Sequence, residues 1–338
     1  MPSQGFDKYP TVTVAVVLLN EYRFVRECLD SILNQDYPSE LVEIIIVDGG
    51  SIDGTVQIVR EYEKKHFNIK IIEAPGCSYP RGLNISLKQA KGEIWTFLDG
   101  HARVQKDYLS RSIINLFEME AACSGGIIET ASEGYVGKSI SYILSSPFGA
   151  GNSKFRYSSK AGFVDTIPYG VYRKKNIDEI GYFNESFLRS ADLDLNNRIR
   201  KRGGKFYLAP NIKTTYFSRK TLLGMMSQAY KNGFPLSRTI HAIRFRHAVP
   251  MIFVSSIIAT IIAIPFFSSA IFLLLGIIGI YFFADILFSS IISIRTKIIF
   301  FPMLIITFPI LHFSYGLGSL FGFILCPFRS IFPSKKCL

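Results

Sequence analysis

Two long stretches in the last third of the chain are almost free of charged side chains, and this limits the possible folds more than any other feature. Across residues 248–294 the one Asp, Glu, Lys, Arg or His residue is Asp285, and across 298–328 it is His312. Apolar runs of about 20 residues can span a bilayer as helices. The first stretch therefore predicts two membrane helices that break near Pro265, and the second is long enough for a third.

The second apolar stretch carries conflicting signals. Two crossings would return the chain to the cytosol, in agreement with Arg295 and Lys297, and a third crossing would leave the basic residues of 329–338 outside, against the positive-inside rule. The stretch also contains residues that break helices or allow close packing, namely Pro302, Pro309, Gly316, Gly318 and Gly322. We therefore expect it to enter from the cytosolic face and to turn back or lie partly in the interface.

The net charge of +12 is concentrated just before the membrane stretch. Residues 196–248 include twelve Lys or Arg residues and no Asp or Glu. Such a segment predicts a cytosolic loop beside anionic headgroups, which we favour over nucleic-acid binding, the other interpretation of a basic chain. Residues 221–231 have the apolar spacing of an amphipathic interface helix.

The N-terminus lacks the apolar core of a secretory signal, and the five scattered cysteines fit a reducing cytosol.

Segments with helical spacing separate four apolar, β-branched runs in the first 120 residues. The runs are 11–19, 42–47, 69–72 and 94–98. They are typical of strands buried on both faces, and their alternation with helices predicts an α/β fold with a mostly parallel sheet. Beyond them the pattern predicts a strand at 123–128, a long loop over 131–163, and helices at 174–180 and 192–202.

Acidic residues follow two of these predicted strands. Asp48 comes directly after one strand, and Asp99 and His101 follow another. Ligands of open α/β sheets bind where strands end, and an Asp and a His one residue apart can face one divalent ion. Either loop alone could be an ordinary turn, and His101 a surface histidine. Together they predict a nucleotide diphosphate held through Mg²⁺ or Mn²⁺.

The nucleotide must then be held by side chains and a metal, because the chain has neither G-x-G-x-x-G after its first strand nor G-x-x-x-x-G-K-[ST]. Their absence disfavours a dinucleotide-dependent oxidoreductase and P-loop phosphoryl transfer. Asn20 and Glu21 end the first strand, and Glu21 can accept a hydrogen bond from a base or ribose. Arg81 and Asn84 start a helix and can meet phosphate or ribose, the alternative being a solvated helix start.

Two carboxylates, Asp192 and Asp194, open a predicted helix. Residues two apart on a helix point in different directions. One acid can therefore face a cleft as a general base, while the other caps the helix or pairs with Arg198. The alternative is that both acids only stabilise the helix N-terminus through its dipole.

Taken in order, several segments resemble the motifs of family 2 inverting glycosyltransferases, which have the GT-A (nucleotide-diphospho-sugar transferase) fold. They are residues 13–21, 47–55, 81–84, 98–101, 192–198 and 228–230. The subgroup that looks most similar is the membrane-anchored glucosyltransferases of succinoglycan-type exopolysaccharide assembly. These share the Asp-Gly-His motif, a Gly-x-x-Arg segment that ends here at Arg173, and a C-terminal membrane region. The resemblance covers about residues 10–235.

The resemblance implies a mixed, mainly parallel sheet with flanking helices, and a role for each matching residue. Asp192 would be the catalytic base, and Asp99 and His101 would bind Mn²⁺ or Mg²⁺ with the diphosphate. The nucleotide sugar would contact Asn20, Glu21, Asp48, Arg81, Asn84 and Asp99. Residues on the acceptor or phosphate side would be Arg173, Arg198 and Gln228.

Three positions depart from the family pattern. Gly49 stands where many members have a second Asp, which removes one carboxylate from the uridine site, and Ala191 replaces an acid that often precedes the base. Processive synthases of the family carry Gln-x-x-Arg-Trp, whereas Gln228 is followed by Ala-Tyr-Lys-Asn. The resemblance therefore implies single additions.

These observations predict a cytosolic catalytic domain over residues 1–215, a basic interface segment over 216–247, a membrane region of two to three helices over 248–328, and a basic tail over 329–338. The expected activity is inverting transfer of one hexose from a nucleotide sugar, UDP-glucose or a related donor. The acceptor would be lipid-linked or a polysaccharide precursor at the plasma membrane, without a nucleic-acid partner. The alternatives are a membrane-anchored scaffold that binds a nucleotide sugar without turnover, and a transporter.

Overall fold

The computed structural model describes residues 9–189, 191–237 and 245–329. The chain divides into two compact units, one comprising Met1–Glu129 and Lys154–Phe217, the other Thr130–Ser153 and Ser218–Leu338. The sequence had suggested one continuous catalytic domain over 1–215, whereas residues 130–153 belong to the unit that contains the apolar helices. Residues 330–338 of the predicted tail, with Arg238 and Arg244, lie outside the described residues.

The elements alternate as the sequence pattern predicted. The strands are β1 (Val12–Leu18), β2 (Val42–Asp48), β3 (Ile69–Glu73), β4 (Ile94–Asp99), β5 (Ala102–Val104), β6 (Cys123–Ala131), β7 (Gly162–Val164), β8 (Val171–Arg173) and β9 (Phe206–Phe217). The helices are α1 (Val25–Leu33), α2 (Thr55–Lys65), α3 (Tyr79–Gln89), α4 (Tyr108–Glu118), α5 (Gly134–Leu144), α6 (Pro147–Ala150), α7 (Lys174–Ile180), α8 (Ala191–Lys201), α9 (Leu222–Gly233), α10 (Phe245–Ala263), α11 (Ala270–Arg295) and α12 (Phe301–Arg329).

Within the described part of the chain, the strands form one nine-stranded sheet in the order β3-β2-β1-β4-β8-β6-β9-β5, with β7 paired to β9. β1 pairs in parallel with β2 and with β4, and β2 pairs in parallel with β3. β8 runs antiparallel to β4 and to β6. The predicted α/β class, with a mixed and mainly parallel sheet and flanking helices, is confirmed.

The core of the first unit follows from the two apolar periodicities. Every residue of β1 is buried, as expected for a strand covered on both faces. α1 buries Val25, Cys28, Leu29 and Ile32, which lie on one face at helical spacing. Each fully buried aliphatic side chain of this kind contributes about 1.5–3 kcal/mol. The paired strands and the helix faces that cover them therefore hold the sheet in a fixed register.

The expectation of a long loop over 131–163 is wrong, because this segment contains α5, α6 and β7. α5 packs against α9 and α12, and its Ile140 and Ile143 are fully buried. The ring of Phe148 in α6 stacks on Phe288 of α11 and contacts Phe308 of α12. A segment rich in Gly, Ser and Tyr has weak local helix propensity, and packing from distant helices overrides it.

Three helices among the described residues are long and apolar enough to cross a membrane: Phe245–Ala263, Ala270–Arg295 and Ile298–Leu325. The expectation that 298–328 turns back within the stretch is wrong, because α12 is one uninterrupted helix. The other alternative, that the stretch lies partly in the interface, stays a prediction. Pro302 lies in its first turn, where a missing N–H leaves no hydrogen bond unmade. Pro309 lies further along, where packing against neighbouring helices makes a proline tolerable.

The glycines of α12 are used for close packing and do not break the helix. A Cβ added at Gly316 would lie 2.4 Å from the carbonyl oxygen of Pro250, and one added at Gly318 would lie 2.3 Å from that of Tyr230. Small residues allow helix backbones to approach this closely in membrane bundles. The backbone of α12 therefore lies directly against α9 and α10.

This packing can be tested with two glycine substitutions. Gly318→Leu should lower the thermal midpoint of the detergent-solubilised protein, because overpacking of a tight contact costs about 1–3 kcal/mol. Gly279→Leu on α11 is the matched control, since a Cβ at Gly279 meets nothing within 4 Å. Equal midpoints for the two variants would contradict the close approach of α9 and α12.

Candidate functional site

Parallel pairing brings predicted ligand-binding residues to one edge of the sheet. Leu18 of β1 lies beside Asp48 of β2, and Val17 lies beside Asp99 of β4. Asp48 and Asp99 therefore end the two strands that flank β1. This carboxyl edge is where ligands of open α/β sheets bind.

Asp99, His101 and Glu21 lie together at this edge. Glu21 Oε1 is 2.8 Å from His101 Nδ1, and His101 Nε2 is 3.9 Å from Asp99 Oδ2. Gly100 makes the approach possible, since a Cβ there would lie 2.4 Å from the side chain of Leu18 and 2.7 Å from Glu21 Cγ. The sequence had assigned Glu21 to the nucleotide, whereas the structure places its carboxylate against the imidazole.

Two tyrosines that sequence reasoning missed hold the Asp99 carboxylate. Tyr79 donates a hydrogen bond to Oδ1 and Tyr169 donates one to Oδ2, each at 2.5 Å. Desolvation, followed by the charge of Asp99, raises the pKa of both hydroxyls well above the ordinary value, so both remain donors. Tyr169 has a left-handed φ of 53°, a conformation that costs about 1–3 kcal/mol and is often found at functional sites.

Asp192 lies in the first turn of α8. Burial raises the pKa of its carboxyl and the negative charge of Asp99 adds to the shift, while backbone N–H groups of Leu193 and Asp192 oppose it. The charge of Asp99 therefore acts on the carboxyl of Asp192. A carboxylate with a raised pKa accepts a proton more readily, which suits a general base.

The two acids of α8 have separate partners. Asp194 is 4% exposed, and its Oδ2 accepts a hydrogen bond from Arg198 Nε at 2.9 Å. The same guanidinium donates to the carbonyl oxygens of Ile180, Gly181 and Tyr182. Arg198 therefore holds the segment before α8, and its predicted contact with an acceptor or phosphate stays a prediction.

Asp48 and Asn20 build the loop in which a nucleotide contact is predicted. Asp48 is 1% exposed, and its Oδ1 accepts hydrogen bonds from the N–H groups of Gly50 and Ser51. Asn20, at a left-handed φ of 58°, accepts from the N–H of Ile52 and donates its own N–H to Ser51 Oγ. These bonds tie the end of β1 to the loop after β2. A direct contact of either residue with a nucleotide stays a prediction.

Arg81 lies close to this loop. Burial raises the pKa of the Cys77 thiol; the charge of Arg81 lowers it, and the charges of Asp48 and Glu185 raise it further. These effects place Arg81, Asp48 and Glu185 around one cysteine. Arg81 is exposed at the start of α3, and its contact with phosphate or ribose stays a prediction.

Asn84 holds a neighbouring segment. It is buried, its Nδ2 donates to the carbonyl oxygen of Phe183 and to Glu185 Oε1, and its Oδ1 accepts from the N–H of Phe183. These bonds give Asn84 a structural role, and its contact with a nucleotide stays a prediction.

Arg173 lies at the opposite edge of the sheet from Asp99. Because β8 is antiparallel to β4, Arg173 pairs with Ile94 at the start of that strand, about 16 Å from its end. Its guanidinium donates to the carbonyl oxygens of Ala121 and Leu116 and lies over the Phe117 ring. The predicted acceptor or phosphate role of Arg173 is therefore corrected.

Gln228 lies on α9 in the second unit. Its role on the acceptor side stays a prediction.

The donor set at Asp99 and His101 fits a divalent metal that arrives with its ligand. Among the described residues, no group of three or more His, Cys, Asp or Glu residues is placed to hold a metal ion without further ligands. Mg²⁺ is commonly held by one or two carboxylates while substrate phosphates and waters complete its coordination. An imidazole shifts the preference toward Mn²⁺. The residues at this edge therefore fit a divalent metal that arrives with an anionic ligand.

The chain matches glycosyl transferase family 2 over residues 13–181. The dolichyl N-acetyl-alpha-D-glucosaminyl phosphate 3-beta-D-2,3-diacetamido-2,3-dideoxy-beta-D-glucuronosyltransferase of Methanococcus voltae is 32% identical over 230 residues, which cover 66% of this chain and 71% of that protein. The succinoglycan biosynthesis protein ExoA of Rhizobium meliloti is 21% identical over 222 residues, 65% of this chain and 67% of that protein.

A solved structure shares the fold. The mannosyltransferase PcManGT from Pyrobaculum calidifontis, in complex with GDP-Man and Mn²⁺, has a TM-score of 0.60 at 18% identity. The match covers 94% of this chain and 91% of that one.

The reassignment of Arg173 has a measurable consequence. Arg173→Gln should lower the free energy of unfolding by about 1–3 kcal/mol, because two carbonyl groups lose a charged donor. The Michaelis constants for both substrates should stay unchanged. Lys175→Gln, which removes an exposed charge nearby, should change neither quantity. A raised Michaelis constant in Arg173→Gln at wild-type stability would restore the substrate-binding role.

Proposed function

Since the chain belongs to glycosyl transferase family 2, we propose that this glycosyltransferase transfers a single hexose, with inversion, from UDP-glucose or a related nucleotide sugar. The proposed acceptor is lipid-linked or a polysaccharide precursor. The observation that carries the proposal is the pairing of Asp192, a carboxylate with a raised pKa, with the Asp99 and His101 edge of the sheet.

The proposed reaction needs one base and one displacement. Asp192 takes the proton of an acceptor hydroxyl while that oxygen bonds to C1 of the sugar. The bond from C1 to the diphosphate oxygen breaks, and its electron pair leaves with the nucleoside diphosphate. Attack from the face opposite the leaving group inverts C1. Asp99 and His101 would hold a divalent metal, which would supply positive charge near the diphosphate, and Arg81 is the candidate for a second positive charge.

The identity of the acceptor is supported by the relatives. The Methanococcus voltae protein is named for a dolichyl phosphate-linked sugar, and the Rhizobium meliloti protein for succinoglycan biosynthesis. A lipid-linked acceptor also agrees with three candidate membrane helices in the described part of this chain. We propose that synthesis takes place at the plasma membrane.

α9 supports an association with the bilayer surface. It buries Met225, Ala229 and Gly233, while Leu223 is 73% exposed and Met226 and Tyr230 are also exposed. An apolar face that is open to the surroundings and shares a unit with the membrane helices is typical of an interfacial helix. Together with the basic residues before α10, this supports a cytoplasmic catalytic unit.

The lack of Arg-Trp after Gln228 supports single additions.

A donor screen tests the proposed function. The purified full chain is assayed with UDP-glucose, UDP-galactose, UDP-N-acetylglucosamine and GDP-mannose, with polyprenyl-phosphate-linked acceptors, in Mn²⁺, Mg²⁺ or EDTA. We expect transfer from a UDP-sugar, loss of transfer in EDTA, and loss in Asp99→Asn. Full activity in EDTA would remove the metal assignment. Donor binding with neither transfer nor hydrolysis would indicate the non-catalytic scaffold.

Substitution of the two acids of α8 tests the catalytic base. Asp192→Asn should lower kcat by about 10²–10⁴-fold with donor binding retained, because an amide cannot take the proton. Asp194→Asn is the matched control. It loses the hydrogen bond to Arg198, so the free energy of unfolding should fall. Its kcat, measured below the melting temperature, should equal that of the wild type. The reverse pattern would assign the base to Asp194.

The pH profile provides a second test of Asp192. The base must be deprotonated, and burial raises its pKa above the ordinary aspartate value of about 3.9. We therefore expect kcat/KM to fall with a slope of one as the pH drops through a pKa above that value. Circular dichroism at each pH separates this loss from unfolding. A constant kcat/KM down to about pH 4 would exclude a base with a raised pKa.

A further inference from the structure

We propose that Glu21 is a positioning residue that holds His101 in the tautomer and orientation in which its Nε2 can bind the metal. The inference rests on the proposed function, since it concerns the metal at Asp99 and His101. It replaces the expected contact of Glu21 with a base or ribose.

The hydrogen bond between Glu21 and His101 determines the tautomer. An ionised carboxylate only accepts hydrogen bonds, so the contact of 2.8 Å between Oε1 and Nδ1 requires a proton on Nδ1. In the neutral imidazole Nε2 then carries the lone pair. Nε2 lies 3.9 Å from Asp99 Oδ2, too far for a hydrogen bond between them. The nitrogen on the side of Asp99 is therefore the one with metal-binding chemistry.

The backbone around Glu21 is fixed independently of His101. The N–H of Glu21 donates to Thr55 Oγ1 at 2.9 Å, and its carbonyl oxygen accepts from the N–H groups of Phe24 and Val25 at the start of α1. Two helices, α1 and α2, therefore fix the backbone from which the carboxylate of Glu21 extends.

The imidazole is also held from its other side. The ring of Tyr216 lies edge-on to His101 with centroids 5.2 Å apart, and the carbonyl oxygen of His101 accepts from the N–H of Phe217. Position 100 needs a glycine, because a Cβ there would lie 2.7 Å from Glu21 Cγ. Carboxylates that orient a metal-binding histidine in this way typically contribute 10–100-fold to metal affinity.

Titration with Mn²⁺ alone tests the proposal on the full chain in detergent, with free Mn²⁺ measured by electron paramagnetic resonance. Glu21→Ala should weaken Mn²⁺ binding about 10–100-fold. Glu21→Gln keeps an acceptor for Nδ1–H and should lose less. Glu27→Ala is the matched control, because it removes an exposed glutamate of α1 that pairs with Arg103, and its affinity should equal that of the wild type.

A double-mutant cycle separates positioning from other roles. If Glu21 acts through His101, Glu21→Ala should have no further effect on Mn²⁺ affinity in the His101→Ala background. Glu21→Ala should also weaken Mn²⁺ more than Mg²⁺, since the imidazole is what favours Mn²⁺. Unchanged Mn²⁺ affinity in Glu21→Ala would overturn the proposal. So would a double variant in which Glu21→Ala weakens Mn²⁺ binding as much as it does in the wild-type background. None of these readouts needs a sugar donor. If the proposed function fails, sugar transfer is absent while the double-mutant cycle still shows the coupling between Glu21 and His101.

Discussion

The candidate site depends on the parallel pairing of β1 with β2 on one side and with β4 on the other. This pairing makes Asp48 and Asp99 neighbours of one strand end, although 51 positions separate them in the chain. Because side chains alternate along a strand, a shift of one residue would turn each to the other face of the sheet. β1 is buried on both faces, so such a shift would also place side chains that fit one packing layer into the other.

The same edge concentrates negative charge. The carboxylates of Asp99, Asp192 and Glu21 all raise the pKa of the Tyr79 hydroxyl, with burial as the largest cause and Asp99 next. Like charges in desolvated surroundings oppose one another. Hydrogen bonds from Tyr79 and Tyr169 stabilise part of this charge. A ligand that brings positive charge would bind this edge and stabilise the folded chain at the same time.

Much of the fold could be predicted because its signals are local. The burial of β1 and the apolar face of α1 follow from neighbouring residues in the sequence, and so does the position of Asp192 at a helix start. The helix α5 could not be predicted, because Ile140 and Ile143 gain their burial from α9 and α12, which follow much later in the chain.

The site could be predicted only as far as residue type and position in an element determine it. The sequence shows that Arg173 is basic, but its distance from Asp99 follows from the antiparallel pairing of β8 with β4. Asn84 donates to the carbonyl oxygen of Phe183, and Arg198 donates to that of Tyr182. Backbone partners of this kind cannot be identified from the sequence, so both residues were assigned to ligands. The reach of Tyr169 to Asp99 likewise depends on tertiary structure.

The second unit is an insertion as well as an extension. The chain leaves the first unit after Glu129, builds α5 and α6, and returns at Lys154 before it leaves again at Ser218. The three apolar helices therefore cannot be regarded as a detachable tail. Cutting the chain after Phe217 would strand α5 and Phe148 without α11 and α12, and would expose the apolar surface that they bury together. The unit that holds the apolar helices is therefore encoded by two separate stretches of the chain, and it needs both of them.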